Sequence, residues 1–132
     1  MTKKKRRLIT AIVSTAIRSV GITATISYAS SGNFEFKLSQ NNEGYSSSIV
    51  YDSSSSYVNV VPTAGNVNSA PMTLTVYNNT HTTAYSNPAY FTSFDPRNIY
   101  FTSTPSYYSQ ICLKGKAGYY YSRLKGIWQV RD

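Results

Sequence analysis

The sequence predicts an all-β domain: a small antiparallel sandwich, or a barrel, of roughly seven to nine short strands behind an N-terminal signal-peptide helix. Three observations carry this. Beyond residue 30 the apolar residues recur with period two, and nowhere with a sustained 3.6 period. The chain holds 13 Tyr among many Ser, Thr and Asn, with only seven Gly, which favours strands over helices or collagen-like repeats. Turn-forming clusters punctuate it at short intervals.

The first 29 residues read as a leader. Lys3, Lys4, Lys5, Arg6 and Arg7 make a cationic start, residues 8–17 are apolar, Arg18 interrupts, and residues 20–26 resume more weakly. Ser27-Tyr28-Ala29 puts small residues at the two positions a signal peptidase reads, so cleavage before Ser30 is expected. An uncleaved anchor is the rival reading, since residues 8–29 are near the roughly 20 a spanning helix needs. Against it, eight of those 22 residues are Ser, Thr or Arg, and an Arg near the bilayer centre costs about 2.5–3.5 kcal/mol. The expectation is a signal peptide over 1–29 and one secreted β domain over 30–132, extracellular or loosely held on the envelope.

The formal charge of +8 invites a nucleic-acid reading, but its distribution opposes one. Six of the 13 basic residues lie in the first 18 positions, while residues 30–132 carry seven basic and five acidic groups. No nucleic-acid partner is expected.

Along the domain, Phe34-Glu35-Phe36-Lys37-Leu38 sets apolar residues on one face and charges on the other, the pattern of a half-buried strand. Asn41-Asn42-Glu43-Gly44 reads as a turn, and residues 48–51 as a strand. The serine runs at 46–48 and 53–56 read as loop or edge, and the even spacing of Tyr45, Tyr51 and Tyr57 as coincidence in a Tyr-rich chain. Residues 57–61 form the next strand, closed by turn residues at 62–66. Met72-Thr73-Leu74-Thr75-Val76 alternates with its threonines outward. Strands at 90–94 and 99–102 flank Asp95-Pro96-Arg97-Asn98, which suits a type I turn. Strands at 109–114 and 117–125 are joined through Lys114-Gly115-Lys116 as a hairpin, and residues 127–130 close the domain.

Chemistry-bearing groupings are sparse. His81 lies in a polar stretch and reads as a solvated loop histidine, with Thr80 and Cys112 as nucleophiles that nothing in the spacing favours. Asn78-Asn79-Thr80 matches a glycosylation acceptor. A single Cys excludes an internal disulfide framework, and a single His excludes a multi-His metal site. The carboxylates Glu35, Glu43, Asp52, Asp95 and Asp132 are scattered, and no glycine loop or nucleophile elbow is present. No enzyme activity, metal or cofactor is expected. Alternation sets Cys112 beside Gln110 and Lys114, away from Ile111 and Leu113, where an exposed thiol could link two chains. The preferred reading is a thiol covered by a second layer or a loop, since free Cys is often buried and one short strand is little evidence of alternation.

The C-terminal stretch says most. Residues 97–132 hold six basic groups and one acid, whereas 30–96 hold one basic group and four acids. Alternation through 119–125 places Tyr119, Tyr121, Arg123 and Lys125 on one face, and Tyr120, Ser122 and Leu124 on the other, joined by Trp128 unless Gly126 introduces a bulge. Rings beside cations suit anionic polymers, because rings stack on sugars and cations pair with phosphate.

The segment from Leu113-Lys114-Gly115 through Tyr119-Tyr120-Tyr121-Ser122-Arg123 to Gly126-Ile127-Trp128 resembles the ending of an uncharacterised family of small secreted Gram-positive proteins. More loosely, the chain is similar to lactococcin-like bacteriocins, short secreted β proteins with aromatic C-terminal strands. The resemblance implies secretion and a polar, Tyr- and Ser-rich β domain, and brings no activity with it. The leading expectation is a secreted, non-enzymatic β-sandwich acting at the bacterial surface, where Tyr119, Tyr121, Arg123 and Lys125 meet anionic wall or membrane polymers. A bacteriocin-like antimicrobial protein and an extracellular fibre subunit are the alternatives.

Overall fold

Period-two alternation becomes two packed antiparallel sheets. The structure, a computed structural model, describes residues 30–130, so the expected leader over 1–29 lies outside the described residues. Nine strands follow in order: β1 (Ser31–Leu38), β2 (Glu43–Tyr45), β3 (Ile49–Val50), β4 (Tyr57–Gly65), β5 (Met72–Asn78), β6 (Ala89–Phe91), β7 (Arg97–Tyr100), β8 (Gln110–Ala117) and β9 (Ser122–Val130). The first sheet runs β1-β9-β4-β7 and the second β2-β8-β5-β6, with β3 also on β8.

The pairings are nested. β1 pairs β9, β2 and β3 pair β8, β4 pairs β7, and β5 pairs β6. Strands β2 and β3 act as one interrupted strand, because Ser46 between them donates to the Leu113 carbonyl and accepts from the Leu113 N–H. The chain is therefore one long hairpin with its tip between β5 and β6, wound on itself so that β4–β9 and β5–β8 contacts complete the sheets. This connectivity is that of an eight-stranded jelly roll. Its winding sends the β8–β9 turn from the second sheet to the first.

Between the sheets lie Phe34, Phe36, Val58, Val60, Met72, Leu74, Val76, Phe91, Ile111, Leu113, Leu124 and Trp128. Phe36 rests on bare backbone at Gly115 of the opposite sheet, where an added Cβ would stand 2.8 Å from the ring. Trp128 is fully buried, and among the described residues its indole N–H meets no acceptor. At the sheet margins the Arg97 guanidinium donates to the Tyr90 carbonyl and lies 5.1 Å from the Phe91 ring centre, tying β7 to β6.

Several expected turns are strand. Asn41 turns the chain at φ 62°, but Glu43 and Gly44 already pair with Lys116 and Gly115. Residues Pro62, Thr63 and Ala64 belong to β4, which bulges between Pro62 and Ala64 without ending. Arg97 and Asn98 open β7. The largest correction concerns Lys114-Gly115-Lys116, which lies inside β8 and is no hairpin turn. The turn occupies residues 118–121 instead, so 117–125 is not one strand. A glycine that admits a ring from the facing sheet looks in sequence like a turn glycine.

No bulge interrupts β9 at Gly126, so Trp128 joins Ser122 and Leu124 on the inner face, and the bulge lies on the partner strand β4. Gly126 pairs with Pro62, and an added Cβ would stand 2.2 Å from the Val61 carbonyl oxygen and 2.9 Å from the Pro62 Cα. Backbone cannot yield as a flexible side chain can. Gly126→Ala is expected to destabilise the domain by about 1–3 kcal/mol in urea unfolding. Gly118→Ala, whose Cβ would meet nothing nearer than the Pro71 carbonyl at 3.9 Å, should stay within about 0.5 kcal/mol.

Candidate functional site

The outward face of β9 carries the candidate site. Ser122, Leu124, Gly126 and Trp128 are buried, while Arg123, Lys125 and Ile127 alternate outward. The register sets Arg123 directly opposite Lys37 of β1, and Lys125 opposite Glu35. Like charges directly opposed across two strands destabilise a sheet. Glu35 sits 3.7 Å from Lys37, with both side chains more than half exposed, so solvent leaves this pair worth little. Among the described residues no ion pair engages Arg123 or Lys125.

Beside these cations the surface is hollowed. One open depression of about 250 Å³ is lined by Glu35, Lys37, Ala64, Gly65, Arg123 and Lys125, among others. A second, of about 530 Å³, continues past Thr63, Lys125 and Ile127. The floor is low because β4 offers Ala64 and Gly65 there. Gly65 holds φ 146°, and a Cβ would stand 2.2 Å from the Arg123 carbonyl oxygen, so that position accepts no side chain.

The structure thus brings Arg123 and Lys125 together as expected, and adds Lys37 and Glu35, whose place opposite β9 no local pattern reveals. It does not bring Tyr119 and Tyr121 with them. β9 begins at Ser122, so both tyrosines lie in the preceding turn and neither lines the depressions.

A second grouping escaped the sequence altogether. On the outer face of the second sheet, His81 stacks on Tyr45 with ring centres 3.6 Å apart and planes 2° from parallel. Tyr45 is on β2 and His81 follows β5, so this contact bridges over β8, which lies between them. Beneath it Lys114 sits 5.1 Å from the Tyr77 ring centre and 3.2 Å from Glu43, with Lys116 at 3.9 Å from the same carboxylate. Burial pulls the Lys114 ammonium down, but its bond to Glu43 and the nearby Tyr77, Glu43 and Tyr45 oxygens outweigh this and leave its pKa raised. The Ser48 hydroxyl also bonds the Asn79 amide oxygen, closing the loop onto β3.

His81, expected as a free loop histidine, is exposed but takes part in this stack. The Thr80 hydroxyl is held by the Asn78 amide and shares a bond with Thr82. Asn78 itself donates to Thr80 and Thr82 and accepts from the Thr82 and Thr83 N–H groups, so its amide organises the turn. Among the described residues no three His, Cys, Asp or Glu side chains gather as metal ligands would.

Cys112 follows the reading of a covered thiol and not that of an exposed, linking one. Alternation does point it to the outer face, but it is 1% exposed, lies opposite Tyr77, and donates to the Asn78 carbonyl at 3.5 Å. Burial pushes its pKa up to about 11.

Comparison of the chain with protein-family models, with curated protein sequences and with solved structures finds no match.

The raised thiol pKa means the folded state holds this proton where the unfolded chain has released it, so its contribution to stability is full below pH 9 and is lost as pH rises through about 11. At pH 8 the pKa shift alone lowers the thiolate fraction about a hundredfold. Iodoacetamide labelling of native protein, followed by intact mass, should run at least about a hundredfold slower than in 8 M urea. A disulfide-linked dimer in non-reducing mass spectra would contradict the burial.

Proposed function

We propose that residues 30–132 form a secreted, non-enzymatic domain that binds anionic polymers of the bacterial envelope through the outward face of its first sheet. One observation carries the reading: Lys37 and Arg123 oppose each other, with Lys125 in the next outward row, around a hollow kept low by the small residues Ala64 and Gly65. The arrangement costs stability in the free domain, and a phosphate-bearing chain lying in the hollow would offset the repulsion. Arg123 supplies the planar fork that pairs with phosphate, and Lys37 and Lys125 act as point charges on either side. The open hollow suits a polymer that passes through over a closed pocket for a small molecule. Export through the expected leader would deliver the domain to such a polymer, and the resemblance to small secreted Gram-positive proteins agrees with that route.

The test is retention on isolated Gram-positive envelopes, with protein collected from culture medium and its mass checked for a start at Ser30. Arg123→Glu with Lys125→Glu should reduce retention at least about tenfold at physiological salt, with urea unfolding no less cooperative than the parent's. Undiminished retention of the double variant would end this reading.

A further inference from the structure

The turn between β8 and β9 is built unlike an ordinary exposed loop. Tyr119, Tyr120 and Tyr121 are 73%, 63% and 49% exposed, three consecutive rings given to solvent at one end of the sandwich. Yet their backbone is held on both sides. The Gly118 carbonyl accepts from the Asn41 N–H, and the Tyr121 carbonyl accepts from the Asn66 amide. Asn66 also accepts from the Arg123 N–H through its side chain and donates to the Arg123 carbonyl through its own N–H. The Ser122 hydroxyl, buried, donates to the Ala70 carbonyl. The rings are therefore presented on a fixed frame, so little ordering remains to oppose binding.

We propose that this end of the domain docks into the boundary between headgroups and acyl chains of an anionic lipid bilayer. Tyrosine suits that boundary because its ring is apolar and its hydroxyl wants water. The Tyr119 and Tyr120 rings stand at 85°, edge to face, so the pair offers no flat platform for a sugar chain. A convex tip of crossed rings fits a soft interface. Charge agrees on both sides. The last outward residue of β8 before the turn is Lys116, and the first of β9 after it is Arg123, with Lys37 opposite. Because β8 and β9 belong to different sheets, Arg123 and Lys37 flank the rings on one face of the sandwich and Lys116, which shares Glu43 with Lys114, on the other. The loops 39–42, 66–71 and 118–121 that meet at this end contain no acid. Cations beside the rings meet lipid phosphates while the rings enter, which places the domain on the membrane without spanning it. The inference rests on the tyrosine turn and stands apart from the hollow, which these rings do not line.

Residues 30–132 contain every strand and core residue among the described residues, so that chain serves for the test. Co-sedimentation with phosphatidylglycerol vesicles should show binding, with phosphatidylcholine vesicles binding far less. The variant Tyr119→Ser, Tyr120→Ser, Tyr121→Ser should lose about tenfold or more in vesicle affinity, with Trp128 emission still that of a buried indole. Should the triple variant unfold, Tyr120→Ser alone decides, with a loss of about threefold expected. No binding to phosphatidylglycerol vesicles, or equal binding by the serine variants, would overturn the proposal. So would complete competition by soluble polyphosphate, which would assign binding to the cations alone.

Discussion

The register of β9 is the constraint from which the rest follows. This strand lies between β1 and β4, and its alternation decides what enters the core and what faces outward. A slip of one residue would turn Arg123 and Lys125 inward and Leu124 and Trp128 outward. The slip is blocked where β9 passes the bulge of β4, because only a residue without a side chain can stand against Val61 and Pro62. Gly126 meets that bulge in one register alone. The same contact that seats Trp128 under the sheets therefore fixes the cations on the surface.

The two outer faces treat positive charge differently. On the second sheet Lys114 and Lys116 share Glu43, and Lys114 is further covered by Tyr77 and the Tyr45–His81 stack. Those two charges share one carboxylate, and the buried Cys112 thiol lies on the same face opposite Tyr77. On the first sheet only Lys37 of the three cations is paired, weakly, with the exposed Glu35, and Lys37 and Arg123 face each other. Folding alone gives no reason for that asymmetry, since opposed like charges weaken the pairing they sit on. An anionic ligand does give one.

The fold class was legible because alternation is a local signal. Strands β1 and β5 follow directly from Phe34-Glu35-Phe36-Lys37-Leu38 and Met72-Thr73-Leu74-Thr75-Val76. The misassigned stretches all involve residues whose role depends on a distant partner. Gly115 lies in mid-strand because Phe36 comes from the other sheet, and Pro62 remains in β4 because a bulge accommodates it against Gly126. The site was half legible for the same reason. The outward placement of Arg123 and Lys125 follows from spacing along β9, whereas Lys37 joins them only through the β1–β9 register. Tyr119 and Tyr121 were placed on the strand because the true turn at 118–121 carries no Asn, Asp or Pro to mark it beyond Gly118. The Tyr45–His81 stack depends on His81 reaching Tyr45 across an intervening strand, which no local pattern encodes.

The most direct test of the cationic face as an anion site is a backbone amide NMR titration of residues 30–132 with a soluble phosphodiester polymer. Shifts are expected to concentrate at Lys37, Ala64, Gly65 and residues 123–125, with the amides around Lys114 and Lys116 unmoved. Shifts centred on the second sheet, or none at saturating polymer, would contradict it.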